Sequence, residues 1–270
     1  VNDQAVEQVI AKEISFHDHW ARGLRARDVP VLESFTAPTC PENRFLLKGA
    51  GHLEQADFLE LGAGMGEASV FFARQGARVV ATDISPEMLN LIQRVAQLHQ
   101  VGLRTVQMDA ANIQYPDQNF DLVYGANVLH HVETRRCLEE VHRVLRPGGK
   151  ALFWDPIAYN PFINAYRSMA DQVRSDDEHP LTLHDLADMR SLFEQVDVQF
   201  SWFTSLSVFL KFYFVDQIHP NEERYWKKAI YDHHAFAKLY RWTSALDSWL
   251  LKVPGVRWLA WNMAVVLTKA

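Results

Sequence analysis

The stretch Phe58-Leu59-Glu60-Leu61-Gly62-Ala63-Gly64-Met65-Gly66-Glu67-Ala68 decides how this chain folds. The apolar run Phe58, Leu59, Leu61 predicts a buried strand. Three glycines at alternate positions predict a tight turn, and the run Ala68, Val70, Phe71, Phe72, Ala73 predicts a helix. Strand, glycine turn and helix together aim backbone N–H groups at a ligand from a helix N-terminus. The spacing is G-x-G-x-G: where the dinucleotide fingerprint G-x-G-x-x-G has its third glycine, this chain has Glu67.

Downstream, strands alternate with helices. Arg78–Thr82 predicts a second strand ending at Asp83, and Ser85-Pro86 opens a helix as N-cap and first helical residue. Leu103–Met108 predicts a third strand ending at Asp109. Phe120–Tyr124 predicts a fourth, followed by Gly125-Ala126-Asn127-Val128-Leu129-His130-His131. Thr134 reads as the cap of a helix closed by Arg146-Pro147-Gly148-Gly149, and Lys150–Trp154 predicts a fifth strand ending at Asp155. Val196–Trp202 and Ala264–Thr268 predict two more. This alternation makes an α/β protein, a doubly wound, mostly parallel seven-stranded Rossmann-like sheet with an aromatic-rich helical insertion before the last strand. The expected division is a helical lid over 1–54, an α/β core over 55–204, a helical cap over 205–260 and the last strand over 261–270. In the lid, Val6, Val9, Ile10 and Ile14 form an apolar helical stripe. His17-Asp18-His19-Trp20 at its end reads as surface or lid packing; no metal is assigned.

The formal net charge of −6 speaks against a nucleic-acid partner, but it is unevenly spread: residues 205–270 hold nine Lys/Arg against five Asp/Glu. Two cysteines, Cys40 and Cys137, lack metal or redox spacing and fit a reducing compartment, so a soluble, cytoplasmic protein is expected. The longest apolar run, Leu206–Val215, is too short to span a bilayer and contains Lys211.

In an open parallel sheet, ligands bind beyond the carboxyl ends of the strands. Glu60 and the glycines, Asp83, and Asp109 with the small Ala110 stand at three successive ends. One such aspartate alone reads as a helix cap; three in sequence point to a nucleoside site. Asp83 follows Gly62 by 21 positions, a spacing at which a carboxylate accepts hydrogen bonds from ribose hydroxyls.

These motifs in this order resemble the class I S-adenosylmethionine-dependent methyltransferases, in particular the group that includes the quinone-biosynthesis methyltransferases. The resemblance rests on Leu59–Gly66, Thr82–Leu89, Met108–Ala111, Phe120–Val123, Asn127–Val132 and Glu140–Lys150, and it spans about residues 55–155. It implies S-adenosylmethionine as cofactor and S-adenosylhomocysteine as product. Glu60, Gly62, Ala63, Gly64 and Gly66 would face the methionine part, Asp83 the ribose, Ile84 and Met88 the adenine faces, Asp109 and Ala110 its edge, and Asn127 the wall beside the methyl donor.

His130 and His131 follow the fourth strand near the transferring methyl, and an imidazole suits a general base; the equal alternative is that they only pack or cap a helix start. Tyr159, Tyr166, Arg167, Arg174 and the acidic run 176–178 are candidates for the acceptor pocket. The aromatic, basic insertion reads either as a cap packed on the sheet or as a pocket for a small lipophilic or aromatic acceptor handled at an anionic membrane surface. A nicotinamide-dependent dehydrogenase is disfavoured by Glu67. A base-modifying methyltransferase is disfavoured by the absence of an Asn/Asp-Pro-Pro-aromatic run after the fourth strand. A protein of the same fold that binds S-adenosylmethionine without transferring the methyl is the remaining alternative. The acceptor, the methylated atom and the oligomeric state are not legible here.

Overall fold

A computed structural model describes residues 3–170 and 178–270, with side chains of the first helix from Ile10 onward. Val6, Val9 and Arg174 therefore lie outside the described side chains. The strands are β1 (Asp57–Leu61), β2 (Arg78–Asp83), β3 (Arg104–Gln107), β4 (Phe120–Ala126), β5 (Leu145–Pro156), β6 (Gln195–Ser201) and β7 (Asn262–Thr268). They form one sheet in the order β3-β2-β1-β4-β5-β7-β6. All pairings are parallel except those of β7, which is antiparallel to both β5 and β6. The strand order reverses between β1 and β4, and a crevice opens beyond their carboxyl ends, where such sheets take ligands.

Apolar side chains fill both faces, as parallel strands require. One face packs on α6 (Thr134–Val144) and α8 (Leu183–Leu192) through Leu138, Val141, Leu186 and Met189. The other packs on α3 (Pro41–Ala50), α4 (Glu67–Arg74) and α5 (Pro86–Leu98) through Leu46, Phe72, Leu91 and Val95. Helix α3 is thus part of the core rather than of a lid. A Cβ on Gly49 would stand 2.5 Å from Val266 of β7, so only glycine lets this helix lie so close to the sheet.

The lid is α1 (Asp3–Arg22), followed by a connection holding the short α2 (Glu33–Thr36). Helix α1 lies across α5, fixed by Asp18, whose Oδ1 accepts from Ser85 Oγ at 2.5 Å and from Glu87 N at 3.3 Å. A carboxylate at a helix N-terminus is favoured by its free N–H groups and dipole.

After β5 come α7 (Pro161–Met169) and α8. The insertion after β6 carries α9 (Ser207–Leu210), a π-turn (Lys211–Val215), α10 (Tyr225–Tyr231) and α11 (Ala237–Leu250). It has its own core, with Trp202, Phe209, Phe212, Tyr225, Phe236 and Tyr240 around Ile163. Leu239 and Leu246, spaced as if for burial, are instead exposed, because α11 turns Tyr240 and Asp247 inward. No helix among the described residues is long and apolar enough to cross a membrane.

Candidate active site

The crevice at the reversal of strand order is a cavity of about 350 Å³. Gly62, Gly64 and Gly66 all adopt positive φ (59°, 51° and 85°). This curls the chain after β1 so that Gly64 N donates to Asp83 Oδ2 at 2.9 Å. An ideal Cβ on Gly64 meets nothing within 4 Å, so the turn leaves an open cradle on the cavity side. Asp83 is buried and lines the cavity, and its Oδ1 accepts from Ser85 N at 2.9 Å. It therefore both fixes the turn that leads into α5 and faces the cavity.

Glu60, Glu67 and Asp83 bring three carboxylates to one wall. Burial pushes Glu60 up to about 8; the Ser69 hydroxyl that donates to it opposes the rise, and Glu67 and Asp83 add to it. Burial also raises Glu67, opposed by the Lys227 ammonium, and raises Asp83, opposed by the backbone N–H groups it accepts from. Carboxylates held toward the neutral form in this way favour a cationic ligand, whose charge restores their ionisation.

Ile84, Asp109, Ala110 and Asn127 also line the cavity. Asp109 Oδ1 accepts from Ala111 N at 2.8 Å, which fixes the turn after β3. Asn127 adopts φ 55° with its N–H donating to Trp154 O at 2.9 Å, bending the chain out of β4 toward the histidines.

His130 is buried beside Asp155 at the end of β5: its Nδ1 lies 2.7 Å from Asp155 Oδ1, and its backbone N donates to the same oxygen at 3.2 Å. This carboxylate holds the Nδ1–H tautomer and turns Nε2 toward Glu178 Oε2, 4.0 Å away. Burial raises Asp155, opposed first by the backbone N–H of His130 that it accepts from. His131 is pushed down to about 4, chiefly by burial and further by His130, and is neutral. Glu13 of α1 stands between His131 Nδ1 (3.8 Å) and His17 Nε2 (3.3 Å). His130, His131 and Glu178 each present one atom within 4.8 Å of one another, a grouping with the donor set for a metal ion although the sequence assigns none.

Lid and insertion close the cavity together. The Trp20 ring is approached by Arg224, 4.0 Å from its centroid, and by Lys227 at 4.1 Å. Burial pushes Lys227 down to about 8, and it lowers Arg224 as well. Tyr166 and Arg167 line the cavity, with Arg167 Nη2 donating to Glu178 at 3.1 Å.

Several expected residues stand elsewhere. Met88 is not in the cavity: the apolar period of α5 turns it, with Leu91 and Val95, into the core. Gly66 is not a cavity residue either. It caps α4, where a Cβ would meet Ile92 at 2.9 Å, so its glycine serves helix packing. Tyr159 points away, its hydroxyl accepting from Leu183 N at 3.0 Å and its ring edge-on to Trp258. Arg174 lies outside the described residues. Glu178, from the acidic run expected at the acceptor pocket, lines the cavity. Conversely, Asp155, Glu67, Glu13, His17 and Arg224 line the site or support it without having been assigned to it. Asp155 was within reach of sequence reasoning, because it ends a strand as Asp83 and Asp109 do. At the opposite end of the sheet a more open depression of about 530 Å³ holds Asp57, Arg78 and Arg146. Arg78 pairs there with Asp57 at 2.7 Å, and Arg146 with Asp57 at 2.8 Å and Asp121 at 2.7 Å.

Residues 59–153 match a family model described as a methyltransferase domain. Over those residues the chain is similar to methyltransferase domains. It is 40% identical over 98 residues to an uncharacterized methyltransferase of Mycobacterium tuberculosis (strain ATCC 25618 / H37Rv), covering 36% of this chain and 39% of that protein. It is 38% identical over 96 residues to the demethylmenaquinone methyltransferase of Thermobifida fusca, covering 34% of this chain and 40% of that one. The match thus spans about two fifths of these relatives' length. One chain of a complex containing the Haloferax volcanii Trm112 methyltransferase activator shares the fold over 93% of this chain and 96% of that one, with a TM-score of 0.60 at 17% identity. The matched stretch holds the glycine turn, Asp83, Asp109 and the two histidines. All of the lid and all of the insertion lie outside it.

Proposed function

We propose that this protein transfers the methyl group of S-adenosylmethionine to an oxygen, nitrogen or carbon atom of a small lipophilic or aromatic acceptor, leaving S-adenosylhomocysteine. The observation that carries the reading is the wall of Glu60, Glu67 and Asp83 beside the open Gly64 cradle, a site suited to a cationic nucleoside. Gly62, Ala63 and Gly64 would hold the methionine part, Asp83 the ribose, Ile84, Asp109 and Ala110 the adenine, and Asn127 the wall by the methyl. When bound, the cofactor supplies an electrophilic methyl whose S–C bonding pair leaves with sulfur.

The chain's own residues align and deprotonate the acceptor. Tyr166, Trp226, Ile230 and Trp261 give the cavity an apolar wall against which an aromatic acceptor packs. Holding it in line with the S–CH₃ bond supplies up to ~7–11 kcal/mol of the barrier. His130 Nε2 takes the acceptor's proton, while Asp155 keeps the other ring nitrogen protonated and compensates the imidazolium that forms. Such a base contributes about 10²–10⁴-fold. Phe16 and Trp20 of the lid, under Arg224 and Lys227, exclude water.

Calorimetric titration with S-adenosylhomocysteine, run beside NAD, tests the cofactor, followed by a screen of phenols, quinols, amines and acids with labelled methyl donor. Micromolar binding of S-adenosylhomocysteine alone, with label passing to an acceptor, is the expected result. Binding of NAD in its place overturns the reading.

A further inference from the structure

Helix α11 has two faces of opposite kind. Inward, Tyr240 and Asp247 are buried, and Asp247 accepts from Thr204 N at 2.6 Å and Ser205 N at 3.2 Å. Outward, Leu239, Trp242, Leu246 and Trp249 follow one another at intervals of three, four and three, which puts them on one stripe. Trp242 is 74% exposed and Trp249 69%, the largest exposures among the tryptophans. Two indoles presented to water on one helix mark an interaction surface. Lys238 and Arg241 flank the stripe on one side, with Lys252 just past the helix, and all three are exposed. From His233 to Leu259 the only carboxylate is Asp247, which is buried in its own hydrogen bonds.

We propose that α11 docks this protein on an anionic phospholipid surface, with Trp242 and Trp249 at the boundary of headgroups and acyl chains and Lys238, Arg241 and Lys252 against the phosphates. Tryptophan rings favour that boundary, and basic side chains beside an apolar stripe add attraction to anionic lipid. A second copy of the chain is a poorer occupant. A two-fold pairing of α11 with itself sets basic flanks together with no exposed carboxylate to meet them. The surface lies outside the cavity, so the proposal stands or falls independently of methyl transfer.

The test is co-sedimentation of the full chain with vesicles of phosphatidylcholine alone and of phosphatidylcholine mixed with phosphatidylglycerol. Binding to the mixed vesicles, weakened by salt and at least about tenfold weaker on phosphatidylcholine alone, is the expected result. Trp242→Ser with Trp249→Ser lowers partitioning at least about tenfold, and so does Lys238→Glu with Arg241→Glu. These side chains are exposed, so the thermal midpoints of the variants stay near that of the parent, which separates lost docking from lost folding. Failure to bind mixed vesicles, equal binding to both kinds, or undiminished binding by the tryptophan variant overturns the proposal. So does a dimer, seen by light scattering, that the tryptophan variant dissolves.

Discussion

The guanidinium of Arg224 lies 4.0 Å from the ring centroid of Trp20, joining the first helix of the chain to the insertion that precedes its last strand. Lys227 approaches the same ring at 4.1 Å, so two cations, one preceding α10 and one in it, hold one lid residue over the cavity. A half-buried cation–π contact is worth ~0.5–2 kcal/mol. Trp20→Ala is therefore expected to weaken S-adenosylhomocysteine binding about three- to tenfold and to speed hydrogen exchange in α1, read by calorimetry and by mass spectrometry. Unchanged exchange would show that the lid is held elsewhere.

Asp83 accepts from two backbone N–H groups as well as facing the cavity, so its removal has two effects. Asp83→Ala leaves both donors without a partner at a cost of about 1–3 kcal/mol, whereas Asp83→Asn keeps an acceptor. Both variants are expected to lose at least tenfold in S-adenosylhomocysteine affinity, and only the alanine to lower the melting temperature by several degrees. Retained affinity in Asp83→Asn would remove the carboxylate from the cofactor site.

The glycine turn separates binding from packing. Gly66→Ala places a Cβ 2.9 Å from Ile92 at φ 85°, and is expected to destabilise the fold by about 1–3 kcal/mol. Gly64→Ala meets nothing within 4 Å, so it pays chiefly the left-handed backbone penalty of about 1–2 kcal/mol and fills the cradle. The first change should show mainly in denaturant melts, the second mainly in cofactor affinity.

His130→Ala and Asp155→Asn should each lower turnover by about 10²–10⁴-fold while leaving S-adenosylhomocysteine affinity within about twofold. The readout is single-turnover methyl transfer to an acceptor found in the screen. Normal turnover in His130→Ala would remove it as the base.

The buried carboxylates give a pH signature with a definite sign. Glu60 moves from 4.5 in the unfolded chain to about 8 when folded. The folded form then binds the proton more tightly, so the stability this group contributes is full below the unfolded value and is lost as pH rises toward about 8. Glu60→Gln removes that loss and keeps an acceptor for the Ser69 hydroxyl. Its melting temperature should rise relative to the parent at about pH 9 and change little at about pH 4. The same shift at both values would exclude ionisation of Glu60 as the cause.

The sequence by itself determined the alternation of strands and helices, the glycine turn, and the strand-end positions of Glu60, Asp83 and Asp109. All follow from local periodicity and from residues that only a turn or a cap accommodates. It placed Gly66 and Met88 at a ligand because motif position does not reveal which side of a helix faces the sheet; the rotation of α5 put one against Ile92 and the other in the core. Only the tertiary structure decided that Glu13, Glu67 and Arg224 line one cavity and that Asp155 stands behind His130, since residues so far apart in the chain meet through packing that no short-range pattern encodes. It also decided which face of α11 meets water. The spacing of Leu239 and Leu246 resembles a core stripe, but the need of the Thr204–Ser205 turn for the Asp247 carboxylate turned that helix the other way.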